Sequence, residues 1–349
     1  MTEAKIYVPA SGAKSPARTY NQTHVARKQI PGRRRVSIYV AWSYPGEANR
    51  DVTELDNRFS TMTEVRRVEW PSWEGIEWSS PAMFQQGIAG SLELFFRAWA
   101  PFQQLVGEVT GHAVPVFQRV DQAGQHLPLD ERVLNDADTL LVFGLDHNVT
   151  EQEASPEEIE AVRSWLKRHG TCLLIGPHHD VGASDSQEER AMEYAHHGDA
   201  LVPRQQRFGR YTRSLMEGLN VPVENRYGLR PGVVPGTRQI APLSINRDLD
   251  TSHWLEGVTN FSFHKHLPHY EVTSRADSPP VHVLARQPID LRNPHPFTAA
   301  GNRELNSLLW LPPNSERGDI LLVDSTVFST LFGADDSLMR FWKNIATAA

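Results

Sequence analysis

Histidine supplies 15 of the 349 residues, and it is clustered: His178-His179, His196-His197, and then His264, His266 and His269. Imidazole is the commonest metal ligand and the side chain best suited to moving protons near neutral pH. His178, His179 and Asp180 follow the apolar run TCLLIG at 171–176 after a single residue, Pro177. In open α/β sheets, ligands bind beyond the carboxyl ends of the strands, so this triplet is the first candidate for ligation or acid–base catalysis. The segment Phe263–Tyr270 adds His-x-His-x-x-His. Extended backbone would point His264 and His266 to one side, and His269, beyond Pro268, could close on them from a turn. Three imidazoles with one open position suit a catalytic Zn²⁺, and mixed histidine and carboxylate ligands suit Fe²⁺ or Mn²⁺. The sequence thus offers His178, His179, His264, His266 and His269 as ligands of a divalent metal.

Other apolar runs end in polar residues of the same kind. Asp146 and His147 follow one, Asp324, Ser325 and Thr326 another, and Ser43, Tyr44 and Glu47 a third. Asp146 and Asp180 are the candidate bases or orienters of a histidine. Tyr44, Glu47, His147, Asp324 and Ser325 are the candidate substrate contacts. Ordinary roles stand beside these. His-x-His on a strand also occurs as a solvated face, and His196-His197 closes a charged helix, where histidine favours the helix dipole. Arg204, Arg207, Arg210 and Arg213 read as a solvated face, with bidentate capture of a carboxylate as the alternative.

The elements that must position these residues are those of an α/β protein. Val36–Trp42 (VSIYVAW) is a β-rich run entered from Arg33-Arg34-Arg35, and Glu64–Trp70 and Val114–Val120 are further candidate strands. Ser80-Pro81 starts a helix with an aromatic stripe at Phe84, Phe95 and Trp99, which Pro101 should kink or break. Leu140–Leu145 and Thr171–Gly176 are continuous apolar runs, as expected of parallel strands buried on both faces. Between them Ser155-Pro156-Glu157-Glu158 spells a capping box, and Gly170 suits the left-handed position after the helix. Strand, capped helix and strand make a right-handed crossover. Val258–Phe263, Val281–Ala285 and Asp319–Asp324 are later strands, and Ser337–Ala346 a closing helix. The predicted organisation is an extended arm over 1–32 and one α/β domain over 33–349, with an insertion at about 181–240.

The order of these pieces resembles the class I glutamine amidotransferase-like superfamily, in its ThuA-like and DUF4350-like branches. The likeness rests on DTLLVFGLDHNVT, EEIEAVRSWLKRHG and TCLLIG within 138–176, on SHWLEGVTNFSF at 252–263, and on GDILLVDSTVFSTLFGADDSLMRFWKNI from Gly318 to Ile345. It implies a mostly parallel, flavodoxin-like doubly wound sheet with flanking helices. The family's amidotransferases carry a nucleophilic cysteine at a strand-to-helix elbow, where this chain has Gly176-Pro177-His178-His179-Asp180. The single cysteine, Cys172, falls inside the strand, where a thiol is a buried apolar group. Glutaminase chemistry by that route is not expected.

A net charge of −7 offers no basic field for nucleic acid or anionic lipid. No run of 18 apolar residues and no secretory leader is evident, so the chain reads as cytoplasmic, with no membrane partner. The expected partner is a small-molecule substrate, with a homo-oligomer formed through the N-terminal arm. No nucleotide cofactor is indicated. Three functions compete: a metal-assisted hydrolase or lyase of a small polar substrate, such as an amide or other C–N bond; a metal-free His/Asp acid–base enzyme; and a non-catalytic ligand- or partner-binding module, favoured by Trp42, Trp70, Trp73 and Trp78.

Overall fold

The computed structural model describes residues 26–42, 81–120, 125–197, 207–261, 266–273, 278–331 and 333–347. Tyr44, Glu47, His264, Arg204, the strand expected at Glu64–Trp70 and most of the expected arm lie outside the described residues.

The apolar runs become strands β1 (Val36–Ala41), β2 (Val116–Gln118), β3 (Thr139–Gly144), β4 (Cys172–Pro177) and β10 (Asp319–Leu322). Between the last two lie β5 (Val223–Leu229), β6 (Ser244–Ile245), β7 (Leu267–Val272), β8 (His282–Pro288) and β9 (Glu304–Leu311). One eight-stranded sheet has the order β2-β1-β3-β4-β10-β9-β8-β6; β5 and β7 form a separate antiparallel ribbon. The first five strands of the large sheet are parallel and the last three run antiparallel.

Alternation along the strands feeds two cores. Val36, Ile38, Val40, Leu141, Phe143, Cys172, Leu174 and Leu321 face α1 (Pro81–Thr110) and the closing helix α7 (Asp336–Thr347). Tyr39, Ala41, Leu140, Val142, Leu173, Ile175, Ile320 and Leu322 face the opposite layer. That layer holds α2 (Glu131–Leu134), α3 (Pro156–Leu166) and α5 (Arg210–Gly218). Remaining helices are α4 (Gln187–His197) and the single turn α6 (Pro296–Ala299). A strand covered on both faces has nowhere to put polar side chains except its ends. Part of the stretch expected as an insertion is thus core, since Tyr211, Leu215 and Met216 of α5 pack against β3 and β4.

Two expectations differ from the structure. Helix α1 runs unbroken through Pro101. Proline removes one ladder bond, but Trp99 and Phe102 on either side are fully buried and pack on Phe143 and Phe328. Residues 258–261 form no strand; the Val258 N–H closes a turn onto the Leu255 carbonyl at 3.0 Å, and Phe261 packs on Phe341.

The capping box forms as predicted: Ser155 Oγ accepts from the Glu158 N–H at 3.2 Å and Glu158 Oε2 from the Ser155 N–H at 2.9 Å. The other Glu158 oxygen is buried and accepts from the Arg119 guanidinium, the Leu129 N–H at 2.8 Å and the Tyr211 hydroxyl at 3.2 Å. Arg119 lies over the Tyr211 ring at 4.0 Å. Burial alone would raise the Glu158 pKa, but Arg119 holds it below its ordinary value. The pair's contribution is therefore complete above that ordinary value and fades as pH falls. Glu158→Ala, which leaves Arg119 buried without its counter-ion, is expected to lower unfolding free energy by about 3–5 kcal/mol. Urea denaturation at pH 7 measures this; a loss under about 1 kcal/mol, the scale of an exposed ion pair, would show that the network contributes little.

Candidate metal centre

Strand β4 delivers its last residues to the site through close backbone contacts. A Cβ on Gly176 would lie 2.3 Å from the Tyr270 hydroxyl and 2.5 Å from the Val323 carbonyl, so only glycine fits. The His178 N–H extends the ladder to the Gly144 carbonyl at 3.1 Å, and Asn225 Nδ2 donates to the carbonyls of Pro177 at 2.9 Å and His178 at 2.5 Å. Pinned in this way, His178 and His179 hold their rings side by side, with centroids 4.1 Å apart, and meet different partners.

His178 reaches the end of the neighbouring strand β10, where its Nδ1 lies 3.3 Å from Asp324 Oδ1. Asp324 is fixed by hydroxyl donors, Thr326 at 2.5 Å and Ser325 at 3.2 Å. A carboxylate on one imidazole nitrogen sets the tautomer and orientation of the ring.

His179 is fully buried against β5, and a Cβ on Gly228 would come within 2.2 Å of its ring. Its Nε2 lies 2.9 Å from Nε2 of His197, the last residue of α4. His266, immediately before β7, stacks on His197 with ring centroids 3.6 Å apart and places Nε2 2.8 Å from the His197 carbonyl. One ligand atom from each of His179, His197 and His266 falls within 4.8 Å of the others, and so does one from each of His178, His179 and Asp324. His179 belongs to both groups. With Zn–N bonds of about 2.05 Å, tetrahedral ligation separates the nitrogens by ~3.3 Å, so the His179–His197 pair needs to open by only a few tenths of an ångström. The donor set fits a divalent cation.

Other predicted residues take different places. The Asp180 carboxylate accepts from Arg213 Nη2 at 3.1 and 3.0 Å, from Arg207 Nε at 3.3 Å and from the Phe208 N–H at 3.2 Å. It anchors the start of α5 instead of joining the histidines; Arg207 and Arg213 thus find a carboxylate within the chain, and Arg210 pairs with Glu153. His269 belongs to neither ligand group. The residues after Pro268 continue as β7 instead of turning back, and this carries His269 to β9, where its Nδ1 accepts the Asn306 N–H at 3.2 Å. His147 packs edge-on against Phe208, which also touches the His178 ring. Ser325 serves Asp324.

His197 is the candidate ligand that sequence reasoning passed over. Its neighbour His196 does play the structural part expected of both, with Nδ1 2.8 Å from the Asn293 carbonyl and Nε2 accepting the Arg230 N–H at 2.9 Å. The doubled histidine at a helix end was the available signal. Cys172 is buried inside β4, and burial pushes its thiol far above the ordinary range.

No model of a known protein family matches the chain, and no curated protein matches it. A solved structure of a protein from Bacteroides uniformis ATCC 8492, described as ThuA-like, is similar over 93% of this chain and 94% of that one. The identity is 7% and the TM-score 0.34, a distant likeness of fold from which no residue role transfers. Among the described residues no helix is long and apolar enough to cross a membrane.

Asp146, at the end of β3, is fully buried. Its Oδ2 accepts the Tyr211 N–H at 3.0 Å in the first turn of α5, while Oδ1 has no hydrogen-bond partner among the described residues. Burial raises its pKa from 3.8 to about 6. The folded state then binds this proton more tightly than the unfolded chain. Stability from this group is complete below the ordinary value and is lost as pH rises through 6. Asp146→Asn keeps the acceptor for Tyr211 and removes the buried charge, so at pH 8 it is expected to be more stable than the native chain by about 1–3 kcal/mol. Urea melts at pH 8 and pH 4 measure the difference; an equal effect at both values would mean that charge is not the cause.

Proposed function

We propose that the chain is a metal-dependent hydrolase or lyase acting on a small polar substrate, with an amide or another C–N bond as the reacting group. The observation that carries this is the convergence of His179, His197 and His266 from three separate elements, with the His178–Asp324 pair alongside. A divalent ion bound there would polarise a carbonyl or lower the pKa of a water. Three neutral imidazoles favour Zn²⁺, and the nearby Asp324 admits Fe²⁺ or Mn²⁺. Asp324 orients His178 through Nδ1, so Nε2 is the nitrogen that exchanges a proton with substrate. Phe208, packed edge-on against the His178 ring, limits water on that side of it. Strand order 2-1-3-4-10 in the parallel half supports a flavodoxin-like, ThuA-related sheet, on which ligands sit at this edge. A second reading rests on the same His178–Asp324 contact: acid–base catalysis by His178 without a metal.

Elemental analysis of protein expressed in rich medium tests the proposal. About one equivalent of Zn, Fe or Mn is expected, falling below roughly a tenth in His197→Ala and His266→Ala and unchanged in His269→Ala. Gly228→Ala, whose methyl displaces the His179 ring, is expected to lose metal as well. A native chain carrying less than a tenth of an equivalent, with a melting temperature indifferent to added Zn²⁺, Fe²⁺ and Mn²⁺, would overturn the metal centre and leave the metal-free enzyme and the non-catalytic binding module.

A further inference from the structure

His269, absent from the histidine cluster, lines a separate cleft of about 640 Å³ between the β5–β7 ribbon, β9 and α6. The volume suits a small organic ligand. One wall is aromatic: Phe297 packs on His269 with centroids 4.5 Å apart and on Tyr227 at 5.8 Å. The same lining carries hydrogen-bond donors that have no partner among the described residues. Because Nδ1 of His269 accepts the Asn306 N–H, its proton sits on Nε2, and that N–H makes no hydrogen bond among the described residues. Burial, assisted by Arg226, lowers the His269 pKa to about 4, so the ring stays neutral and keeps this tautomer near neutral pH. Neither the Tyr227 hydroxyl nor the Arg286 guanidinium has a hydrogen bond or ion pair among the described residues. Of the lining carboxylates, Glu271 pairs with Arg226 at 2.6 Å, Glu304 accepts the Ser244 hydroxyl and Glu189 is exposed. Unspent donors, one of them a guanidinium fork, recognise an oxyanion, and an aromatic wall recognises a carbon skeleton.

We infer that this cleft binds a small carboxylate carried on an apolar skeleton, held by Arg286, His269 and Tyr227 against Phe297. The inference does not depend on the metal reading, since none of these residues belongs to either ligand group.

Titration calorimetry of the full chain with phenylacetate tests it, with 2-phenylethanol and inorganic phosphate as comparisons. Phenylacetate is expected to saturate with a Kd on the order of millimolar, the range for a ligand of its size. The alcohol, lacking the charge, should bind at least tenfold more weakly, and phosphate, lacking the skeleton, should not saturate. Arg286→Ala and His269→Leu are each expected to weaken binding roughly tenfold. His269→Gln, which keeps an acceptor for the Asn306 N–H and a donor toward the cleft, should stay within about threefold of the native chain. Phosphate binding more tightly than phenylacetate would overturn the carboxylate assignment. Unchanged binding in Arg286→Ala or in His269→Leu would overturn the site. Metal content, measured on the same samples, is expected to be unaffected by all three substitutions, so failure here and failure of the metal centre are told apart.

Discussion

Parallel strands covered on both faces can carry polar side chains only where they end. β1, β3, β4 and β10 are buried along their whole length. The imidazoles of His178 and His179 and the carboxylate of Asp324 therefore stand at one edge, where the backbone leaves the ladder and hydrogen-bonding groups must find new partners. Asn225 meets that need at Pro177 and His178, and Asp324 is met by its own Ser325 and Thr326. The order of the site follows from this edge: what holds the backbone still also aims the rings.

The parts of the fold written in local pattern were legible in the sequence. The Ser155–Glu158 box, the apolar runs on either side of it and the Leu338–Phe341–Trp342–Ile345 stripe each carry a period or a cap that a single element satisfies alone. The β5–β7 ribbon was not legible, because VENRYGL and LPHYEV mix charge, proline and glycine and become strands only by pairing with each other. The same non-locality hid His197, and with it the pairing that brings His266 to His179. His178, His179 and Asp324 stand at strand ends and announce themselves. His197 and His266 become partners only because α4 and β7 fold back over β4, and no spacing within either segment encodes the distance between them. His269 shows the reverse error: its spacing from His266 suited ligation, while the strand it joins takes it elsewhere.

A centre built from residues 179, 197 and 266 closes over long stretches of chain, and its geometry exists only once the sheet and ribbon are assembled. Such a centre differs from a small metal-nucleated domain, where the ion supplies the folding free energy. Here two large hydrophobic cores and the buried Arg119–Glu158 network establish the scaffold, and the ion would add to a structure already determined.

Gly228 has a consequence for how this sequence can drift. Its lack of a side chain is the space that the His179 ring occupies, so neither position is free to change without the other. Among descendants of this chain the two should be inherited as a unit: lineages that keep the histidine keep the glycine, and a side chain at 228 marks a lineage in which position 179 has been released from its chemistry. A glycine in an otherwise unremarkable strand thereby becomes the position from which retention or loss of the centre can be read.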